Sequence, residues 1–236
     1  MSGFVPIDRS VLYSPAWFVP FDEFAQVRSA GVRACLDRWD EDEGAWVALD
    51  TPAVRTPSAA IAYPGLGRRG GPGRQRYRVR FAAAGYQPLY PADGQPFSAD
   101  VVGVEFVAYP YDDIQPPAQP RVVRLLPGVS FRYPPRLRTV YGVVLDGTTR
   151  VPVANALVRA RGRTSRDAVE WQERTLTGTG GAFRLALRWE GERVAGDPAE
   201  ETFRLLATER PGRTGSLVVR LPAELDRRHV IEIVEQ

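Results

Sequence analysis

Few residues in this chain of 236 could carry out chemistry. His229 is the only histidine and Cys35 is the only cysteine. A zinc site built on histidines needs a second imidazole, which the sequence lacks. A Ser-His-Asp triad through His229 would lack the Gly-x-Ser-x-Gly turn that carries many nucleophiles. We therefore expect no enzymatic activity, no metal and no cofactor, with His229 exposed near a terminal strand and Cys35 packed as a small side chain.

An acidic cluster lies between residues 37 and 43 and consists of Asp37, Asp40, Glu41, Asp42 and Glu43. Because Ca²⁺ prefers several oxygen ligands, carboxylates at this density form a candidate site. The cluster lacks the Asp-x-Asp-x-Asp-Gly order of a dedicated calcium loop. We favour a solvated hairpin tip, and calcium binding stays open as the alternative.

A stretch rich in glycine and arginine spans residues 65–74. It lacks the Gly-Lys-Ser/Thr ending of a phosphate-binding loop and does not precede a helical pattern. Arg68, Arg69, Arg74 and Arg76 could contact phosphates, but the net charge of the chain is only +3. This pattern predicts a flexible hairpin tip and no nucleic-acid partner.

A proline-rich loop at residues 109–117 combines aromatic and acidic side chains that can bind a partner: Tyr109, Tyr111, Asp112 and Asp113. Tyrosines in such a loop can stack on sugars or contact a protein surface. The alternative is an ordered crossover between strands that its prolines hold in place. Both interpretations stay open.

Residues 1–27 form an aromatic arm, in which the candidate partner-binding residues are Tyr13, Trp17, Phe18, Phe21 and Phe24. Pro15 and Pro20 exclude a long helix, and the arm is too apolar to be a solvated tail. It either packs along the sheet of the first domain or buries its aromatic side chains in another subunit.

The elements that position these residues are short strands. The chain contains 22 Gly and 21 Pro, which favour many turns and few long helices. In the first half, Val32, Ala34 and Leu36 alternate with Arg33, Cys35 and Asp37, which predicts a strand that continues to Trp39. Trp46 to Leu49 returns as its hairpin partner. Further strands are predicted at 53–56, 59–63, 77–83 and 101–109.

In the second half, short Val- and Leu-rich runs at 141–146 and 151–160 end in turn residues. Phe183, Leu185 and Leu187 alternate with more polar neighbours, as in a half-buried antiparallel strand. The tail at 227–234 predicts a closing strand.

Residues 138–222 resemble the carboxypeptidase regulatory-like domain, a transthyretin-like β-sandwich. The matching positions are Gly142, Val143, Val144 and Asp146, then Pro152, Val153, Ala156 and Val158, then Thr175, Thr177, Gly181, Phe183 and Leu185. The Asp that is usual in the turn before the last strand is missing, since Gly178 follows Thr177. The resemblance implies a scaffold without catalytic residues.

The two halves also look like a weak internal repeat of about 100 residues, which favours duplicated domains over a solenoid. Residues 77–85 resemble 202–212, and residues 121–127 resemble 217–222. We predict an all-β protein with two transthyretin-like or Ig-like antiparallel β-sandwich domains, at 28–133 and 134–236, after the extended N-terminal arm at 1–27. Two prolines make residues 131–136 a stiff extended linker.

These observations predict a non-enzymatic structural or interaction protein whose partners are other protein subunits of a larger assembly, such as a phage tail or a contractile injection particle. The alternative is a carbohydrate-binding or adhesive module that uses Trp39, Trp46, Tyr109 and Tyr111 as a platform. The N-terminus lacks a signal-peptide pattern, and no apolar run is long enough to cross a bilayer. We therefore expect assembly in the cytoplasm and no membrane partner.

Overall fold

The computed structural model describes residues 14–66, 73–110, 118–163, 169–194 and 197–236. Over these ranges the fold is all-β. The strands of the first half are β1 Trp17–Asp22, β2 Val27–Arg28, β3 Arg33–Asp40, β4 Ala45–Leu49, β5 Val54–Arg55, β6 Ile61–Ala62, β7 Gln75–Ala82, β8 Tyr86–Leu89, β9 Val104–Ala108 and β10 Pro120–Pro127. Those of the second half are β11 Thr139–Asp146, β12 Leu157–Arg163, β13 Glu170–Leu176, β14 Ala182–Ala186, β15 Glu192–Val194, β16 Asp197–Arg210, β17 Arg213–Leu221 and β18 Arg228–Glu235. Within the described ranges, no helix has the length and apolar character that spanning a bilayer requires.

The first half of the chain folds into two sheets with one core between them. One sheet has the strand order β5-β6-β1-β10-β8, with β2 beside β1, and the other has the order β4-β3-β7-β9. Phe18 and Leu125 from the first sheet meet Leu36, Val79 and Phe81 from the second in a buried apolar cluster. The first half is therefore a β-sandwich, which we call the first sandwich.

The second half wraps a single long sheet around its own core. The strand order is β13-β12-β16-β17-β18-β11-β14, with β15 beside β16. Only two residue pairs join β17 to β18, so the sheet folds over at this seam. Val144 and Phe183 on one side meet Val158, Leu205 and Val219 on the other. This second sandwich and the first confirm the predicted all-β sandwich class.

Both sandwiches pair their first strand with their last strand in parallel. β1 pairs with β10, from Trp17 with Pro120 to Asp22 with Leu125. β11 pairs with β18, from Tyr141 with Arg228 to Asp146 with Ile233. The second pairing is so close that a Cβ on Gly142 would lie 2.2 Å from the carbonyl oxygen of His229. Only glycine fits at position 142.

The described part of the N-terminal arm is the first strand of the first sandwich. Along β1 the buried positions alternate with half-buried ones, and Phe18 is only 1% exposed. The Phe18 ring lies 5.5 Å from the ring of Phe81 and 5.9 Å from that of Phe106, measured between centroids. Phe18 is therefore a core residue of its own domain, which fits the first of the two alternatives for the arm; partner binding by the arm stays a prediction. Tyr13 lies outside the described residues.

Pro20 fits in the middle of β1 because of a gap between two short neighbouring strands. On the side away from β10, β6 pairs with Trp17 and Phe18, while β2 pairs with Phe21 and Asp22. The carbonyl oxygen of Pro20 accepts a hydrogen bond from the Ser29 amide at 2.9 Å on that same side. In a strand the N–H and C=O of one residue point the same way. The backbone N–H that Pro20 lacks would thus point toward the gap. Its absence therefore removes no hydrogen bond between β1 and β10.

An apolar and aromatic seam joins the two sandwiches. Leu89 and Leu126 of the first sandwich pack with Leu157 and Leu176 of the second. Beside them Phe24, Tyr86, Phe131 and Tyr133 form a cluster in which neighbouring ring centroids lie 4.8–5.4 Å apart. The segment predicted to be a stiff extended linker is therefore packed between the domains. The predicted domain boundary lies between β10 and β11 and stays a prediction.

Polar contacts across the same seam fix how the two sandwiches meet. The Arg174 guanidinium donates to both carboxylate oxygens of Glu23. The Thr175 hydroxyl donates to the Pro127 carbonyl at 2.6 Å, and the Gln87 side-chain amide donates to the Thr177 carbonyl at 3.1 Å. Because these contacts are directional, they select one relative orientation of the two domains.

Truncating the side chain of Phe18 should destabilise the fold. A Phe18→Ala variant leaves a cavity between the sheets of the first sandwich, and we expect it to lower the free energy of unfolding by about 3–5 kcal/mol. Val27→Ala on the adjacent β2 is the matched control because Val27 is 54% exposed, and it should cost less than about 0.5 kcal/mol. Urea unfolding followed by tryptophan fluorescence measures both. Equal stability of the two variants would mean that β1 is not part of the core.

Candidate binding face

The outer face of the β4-β3-β7-β9 sheet carries a group of arginine, tryptophan and aspartate side chains. Along β7, Tyr77, Val79 and Phe81 are buried in the core, whereas the residues between them point to the other side. This strict alternation places Arg76, Arg78 and Arg80 in a row on the outer face. On β3 the same rule directs Asp37 and Trp39 outward, since Leu36 is in the core. We call the surface formed by Asp37, Trp39, Trp46, Arg76, Arg78 and Arg80 the Arg/Trp face.

Asp37 is the centre of this face and is almost fully buried, at 1% exposure. Arg80 donates hydrogen bonds to both of its carboxylate oxygens, with Nε 2.8 Å from Oδ2 and Nη2 2.8 Å from Oδ1. Arg78 donates to Oδ2 from Nε at 3.0 Å and from Nη2 at 2.8 Å. Four charge-assisted hydrogen bonds therefore hold one carboxylate, and both arginines are oriented by it.

The electrostatics of this group favour the ionised carboxylate. Burial alone would raise the pKa of Asp37, but the hydrogen bonds and charges of Arg80 and Arg78 outweigh it and hold the pKa below its usual value. The same contact raises the pKa of Arg80. Asp37 is therefore a permanent anion at neutral pH, which stabilises two adjacent guanidinium groups.

Arg78 is fixed on its other sides as well. A Cβ on Gly103 would lie 2.6 Å from Cγ of Arg78, so the absence of a side chain at position 103 makes room for the arginine stem. The guanidinium carbon lies 4.7 Å from the centre of the Trp46 ring. Arg78 is thus held by the Asp37 carboxylate and the Trp46 indole, and Gly103 leaves room for its stem. Its side chain is 17% exposed.

Two tryptophans extend the face toward the β3–β4 turn. Trp39 and Trp46 are opposite each other in register, and their rings meet edge to face at 5.3 Å. The Arg76 guanidinium lies 5.2 Å from the Trp39 ring and 5.8 Å from the Trp46 ring, and it also pairs with Glu105 at 3.1 Å. Cation–π contacts of this kind order an otherwise mobile arginine on the surface.

Tyr109 lies beyond the end of β9, next to this face. The Arg74 guanidinium lies 4.9 Å from the centre of its ring. Trp39, Trp46 and Tyr109, three of the four predicted platform residues, therefore lie along one sheet, and each is covered by a guanidinium of the same chain. Tyr111, Asp112 and Asp113, together with residues 67–72, lie outside the described residues.

The acidic cluster does not form a single site. Asp37 points into the Arg/Trp face, whereas Glu41, Asp42 and Glu43 lie in the exposed turn between β3 and β4. Asp40 closes that turn by accepting hydrogen bonds from the backbone amides of Asp42 and Glu43 at 3.1 and 3.2 Å. Across the described part of the chain, no group of three or more His, Cys, Asp or Glu side chains is placed to hold a metal ion.

His229 is buried, so the prediction of an exposed imidazole is wrong. It lies on the inner face of β18, and its Nε2 donates to the Glu224 carbonyl at 3.1 Å. A carbonyl can only accept, which assigns the proton to Nε2. The imidazole therefore ties the β17–β18 turn to the edge of the second sandwich. Cys35 is a free, half-buried thiol on β3.

The remaining residues of the arm lie away from the Arg/Trp face. Phe24 is part of the aromatic cluster at the domain junction, where the Arg188 guanidinium lies 4.5 Å from its ring. The Phe21 ring contacts Arg124 at 6.0 Å, and Trp17 is half-buried next to Ala62 on β6. These aromatic side chains do not form one surface.

Sequence reasoning missed Arg78 and Arg80. The signal was present, because three arginines at positions 76, 78 and 80 alternate with apolar residues on a predicted strand. Such a row on one face needs anions or aromatic rings beside it, and β3 supplies both. The missing information was that β3 lies next to β7, with Asp37 opposite Arg78.

Comparison with models of known protein families and with curated proteins found no match for this sequence. Among solved structures, the chain shows weak similarity to a streptococcal ancillary pilin, with 15% identity and a TM-score of 0.27 over 94% of this chain and 62% of the pilin. It is also similar to the major pilin subunit BcpA of Bacillus cereus, with 12% identity and a TM-score of 0.30 over 92% of this chain and 68% of that one. The shaft pilin SpaA from Lactobacillus rhamnosus GG shows 11% identity and a TM-score of 0.26 over 96% and 98% of the two chains.

Removing the charge of Asp37 should destabilise the first sandwich. Asp37→Asn keeps the shape of the side chain but leaves Arg78 without its anion, and we expect a loss on the order of 3 kcal/mol in the free energy of unfolding. Glu105→Gln is the matched control, since it breaks an exposed pair with Arg76 and should cost less than about 1 kcal/mol. Chemical denaturation at pH 7 compares the two. A loss no larger than that of the control would show that Asp37 is not the anchor of this face.

The same variant makes a prediction about pH. The pKa of Asp37 is lowered in the folded state, so its contribution is fully present above the usual carboxyl pKa of about 3.9 and is lost as the pH falls through the folded value. The difference in stability between the wild type and Asp37→Asn should therefore be constant from pH 7 to pH 5 and shrink toward pH 2. A difference that does not change with pH would contradict this assignment.

Proposed function

We propose that this protein is a non-enzymatic interaction subunit that docks onto another protein through the Arg/Trp face. The observation that carries the proposal is the grouping of Trp39, Trp46 and the arginine row on one outer sheet face around a buried carboxylate. Tryptophan and arginine are the residue types most enriched at the energetic centres of protein interfaces. Here they are already ordered, so a partner would spend little conformational entropy in fixing them.

The charge of the face defines the partner. Arg76, Arg78 and Arg80 outnumber the carboxylates beside them, since Asp37 is buried and Glu105 lies at the margin. Arg80 remains 42% exposed although it holds Asp37. A protein surface that presents carboxylates to Arg76 and Arg80 and an apolar group to the tryptophans is the complementary partner.

We assign the subunit to a larger assembly, such as a phage tail or a contractile injection particle, that is built in the cytoplasm. The support is the resemblance of residues 138–222 to the carboxypeptidase regulatory-like domain, which implies a scaffold. A second support is the seam between the sandwiches, where the Glu23–Arg174 pair and the leucine cluster hold them in one orientation. A rigid two-domain unit suits a component that sets the spacing between two neighbours.

Carbohydrate binding is the alternative function of the same face. The common location of Trp39, Trp46 and Tyr109 favours it, because aromatic rings stack on sugars. The positions of Arg74, Arg76 and Arg78 over these rings argue for a protein instead. A sugar needs a free ring face, whereas a protein carboxylate can bind the guanidinium from outside.

The test compares incorporation of tagged variants into the assembly purified from cells that express the protein. Trp46→Ala combined with Arg76→Glu should reduce incorporation by about tenfold or more, as expected for hot-spot residues. Trp189→Ala combined with Arg228→Glu is the matched control, since both residues are exposed on the second sandwich. Thermal melts verify that both variants are folded.

Normal incorporation of the folded Trp46/Arg76 variant would exclude this face as the docking surface. A glycan array with the same proteins tests the alternative. Polysaccharide binding that Trp46→Ala abolishes, together with normal incorporation, would establish the carbohydrate module in place of the interaction subunit.

A further inference from the structure

A cavity between the two sandwiches contains an arginine for which the described residues provide no counter-ion. The cavity has a volume of about 250 Å³ and lies between the segment after β8 and the outer face of the second sandwich. Arg159 of β12 lines it, with its Nε completely buried and without a hydrogen-bond partner. Two other half-buried arginines, Arg174 and Arg213, each contact a carboxylate.

The carboxylates around this cavity are used by other arginines. Asp93 lines it but accepts two hydrogen bonds from Arg124, at 2.9 and 2.6 Å. Glu23 is held by Arg174 in the same manner. The described part of the chain therefore offers Arg159 no anion, although burying a cation without one costs free energy.

The electrostatic environment of Arg159 agrees with this geometry. Burial lowers its pKa, and the neighbouring charges of Arg161 and Arg174 lower it further. All three effects oppose the charged form, and no acidic group compensates them. An anion at this position would relieve both the desolvation and the repulsion.

A second polar group faces the same cavity. Thr208 of β16 lines it, and its buried hydroxyl oxygen has no hydrogen-bond partner among the described residues. Leu157 pairs with Thr208 and Arg159 pairs with Leu206 in the β12–β16 ladder. Residues directly opposite each other share a face, so the guanidinium and the hydroxyl lie on the same side of the sheet. Together they offer donors to one bound group.

Besides Asp93, Gln95 and Arg174, the lining includes several apolar side chains. Leu89, Phe97 and Leu157 belong to the leucine cluster of the domain seam and form one wall, and Pro91 and Pro211 complete it. Cavities of about 150 Å³ hold a benzene ring. The larger volume here accommodates a ring-sized apolar group together with a carboxylate.

We propose that this interdomain cavity binds a carboxylate attached to a small apolar group, with the carboxylate on Arg159 and Thr208 and the apolar group against Leu89, Phe97 and Leu157. The ligand is either a free carboxylic acid or the C-terminal residue of a peptide, because both present this chemistry. The site is separate from the Arg/Trp face, and the proposal does not depend on the function assigned to that face.

The probes are sodium benzoate and a short peptide that ends in phenylalanine, each titrated into the full chain and followed by isothermal calorimetry and amide chemical shifts. Benzyl alcohol and the amidated peptide are the neutral controls, and inorganic phosphate is the anionic control without an apolar group. We expect benzoate or the free-acid peptide to bind with shifts at Leu89, Phe97 and Thr208, and the controls to bind at least about tenfold more weakly.

Variants connect the binding to the named residues. Arg159→Gln should weaken it by about tenfold or more and Thr208→Val by about threefold or more. Arg161→Gln is the matched control on the same strand, since Arg161 bonds to Gln172 and does not line this cavity. It should change binding by less than about twofold. Because Arg159 has no counter-ion among the residues that the structure describes, Arg159→Gln should also leave the melting temperature unchanged or raise it.

The outcomes separate clearly. Binding of benzoate alone identifies a free acid, and Arg159-dependent binding of the free-acid peptide identifies a C-terminus; either result supports the site. Absence of binding by both probes, equal binding of phosphate, or unchanged binding by Arg159→Gln would overturn it. A lower melting temperature of Arg159→Gln together with unchanged binding would make Arg159 a structural residue. None of these results affects the incorporation test of the Arg/Trp face.

Discussion

Each sandwich depends on the parallel pairing of its first strand with its last. A strand buried between two neighbours must be apolar on its inner face and must have its backbone hydrogen bonds satisfied along both edges. β1 and β11 meet these conditions only because β10 and β18 pair with them. The pairing makes the N-terminal aromatic segment part of a core. It also brings β11 so close to β18 that a glycine is required at position 142.

This closure has consequences for the sheet that carries the candidate binding face. With β1 and β10 filling one side of the first core, the β4-β3-β7-β9 sheet buries only its inner face, and its outer face is free to be polar. The buried Asp37 carboxylate is held there by hydrogen bonds from Arg78 and Arg80. Its charge sets the positions of Arg78 and Arg80, and these arginines and Arg76 lie beside the tryptophans. The face is therefore preorganised by one buried anion.

At the junction between the sandwiches, in contrast to the arginine-rich Arg/Trp face, carboxylates and arginines are paired. Glu23, Asp93 and Glu173 each contact an arginine, so most of the seam is neutral. Arg159 is the exception in the interdomain cavity. Its lack of a carboxylate partner in the described part of the chain is informative because the neighbouring carboxylates each contact another arginine. A seam that keeps the domains in one orientation also keeps the walls of this cavity in place, which favours a preformed site.

The sequence alone determined the all-β class and most strands of the first sandwich, because period-2 alternation and turn residues are local signals that residues such as Tyr77, Val79 and Phe81 display without reference to the rest of the chain. It also indicated that His229 and Cys35 are too few for familiar catalytic sites. The sequence could not decide which strands are neighbours. Residues 121–127 resemble residues 217–222 because both strands have the same alternation of side chains. In the fold, however, β10 corresponds to β18, since each pairs in parallel with the first strand of its sandwich, and not to β17. Only the tertiary structure placed Phe18 in a core, Asp37 between two arginines and Arg159 in a cavity whose carboxylate, Asp93, is bonded to Arg124. These facts depend on contacts between residues 30 to 100 or more positions apart, and such pairings leave no mark on the local pattern of either strand.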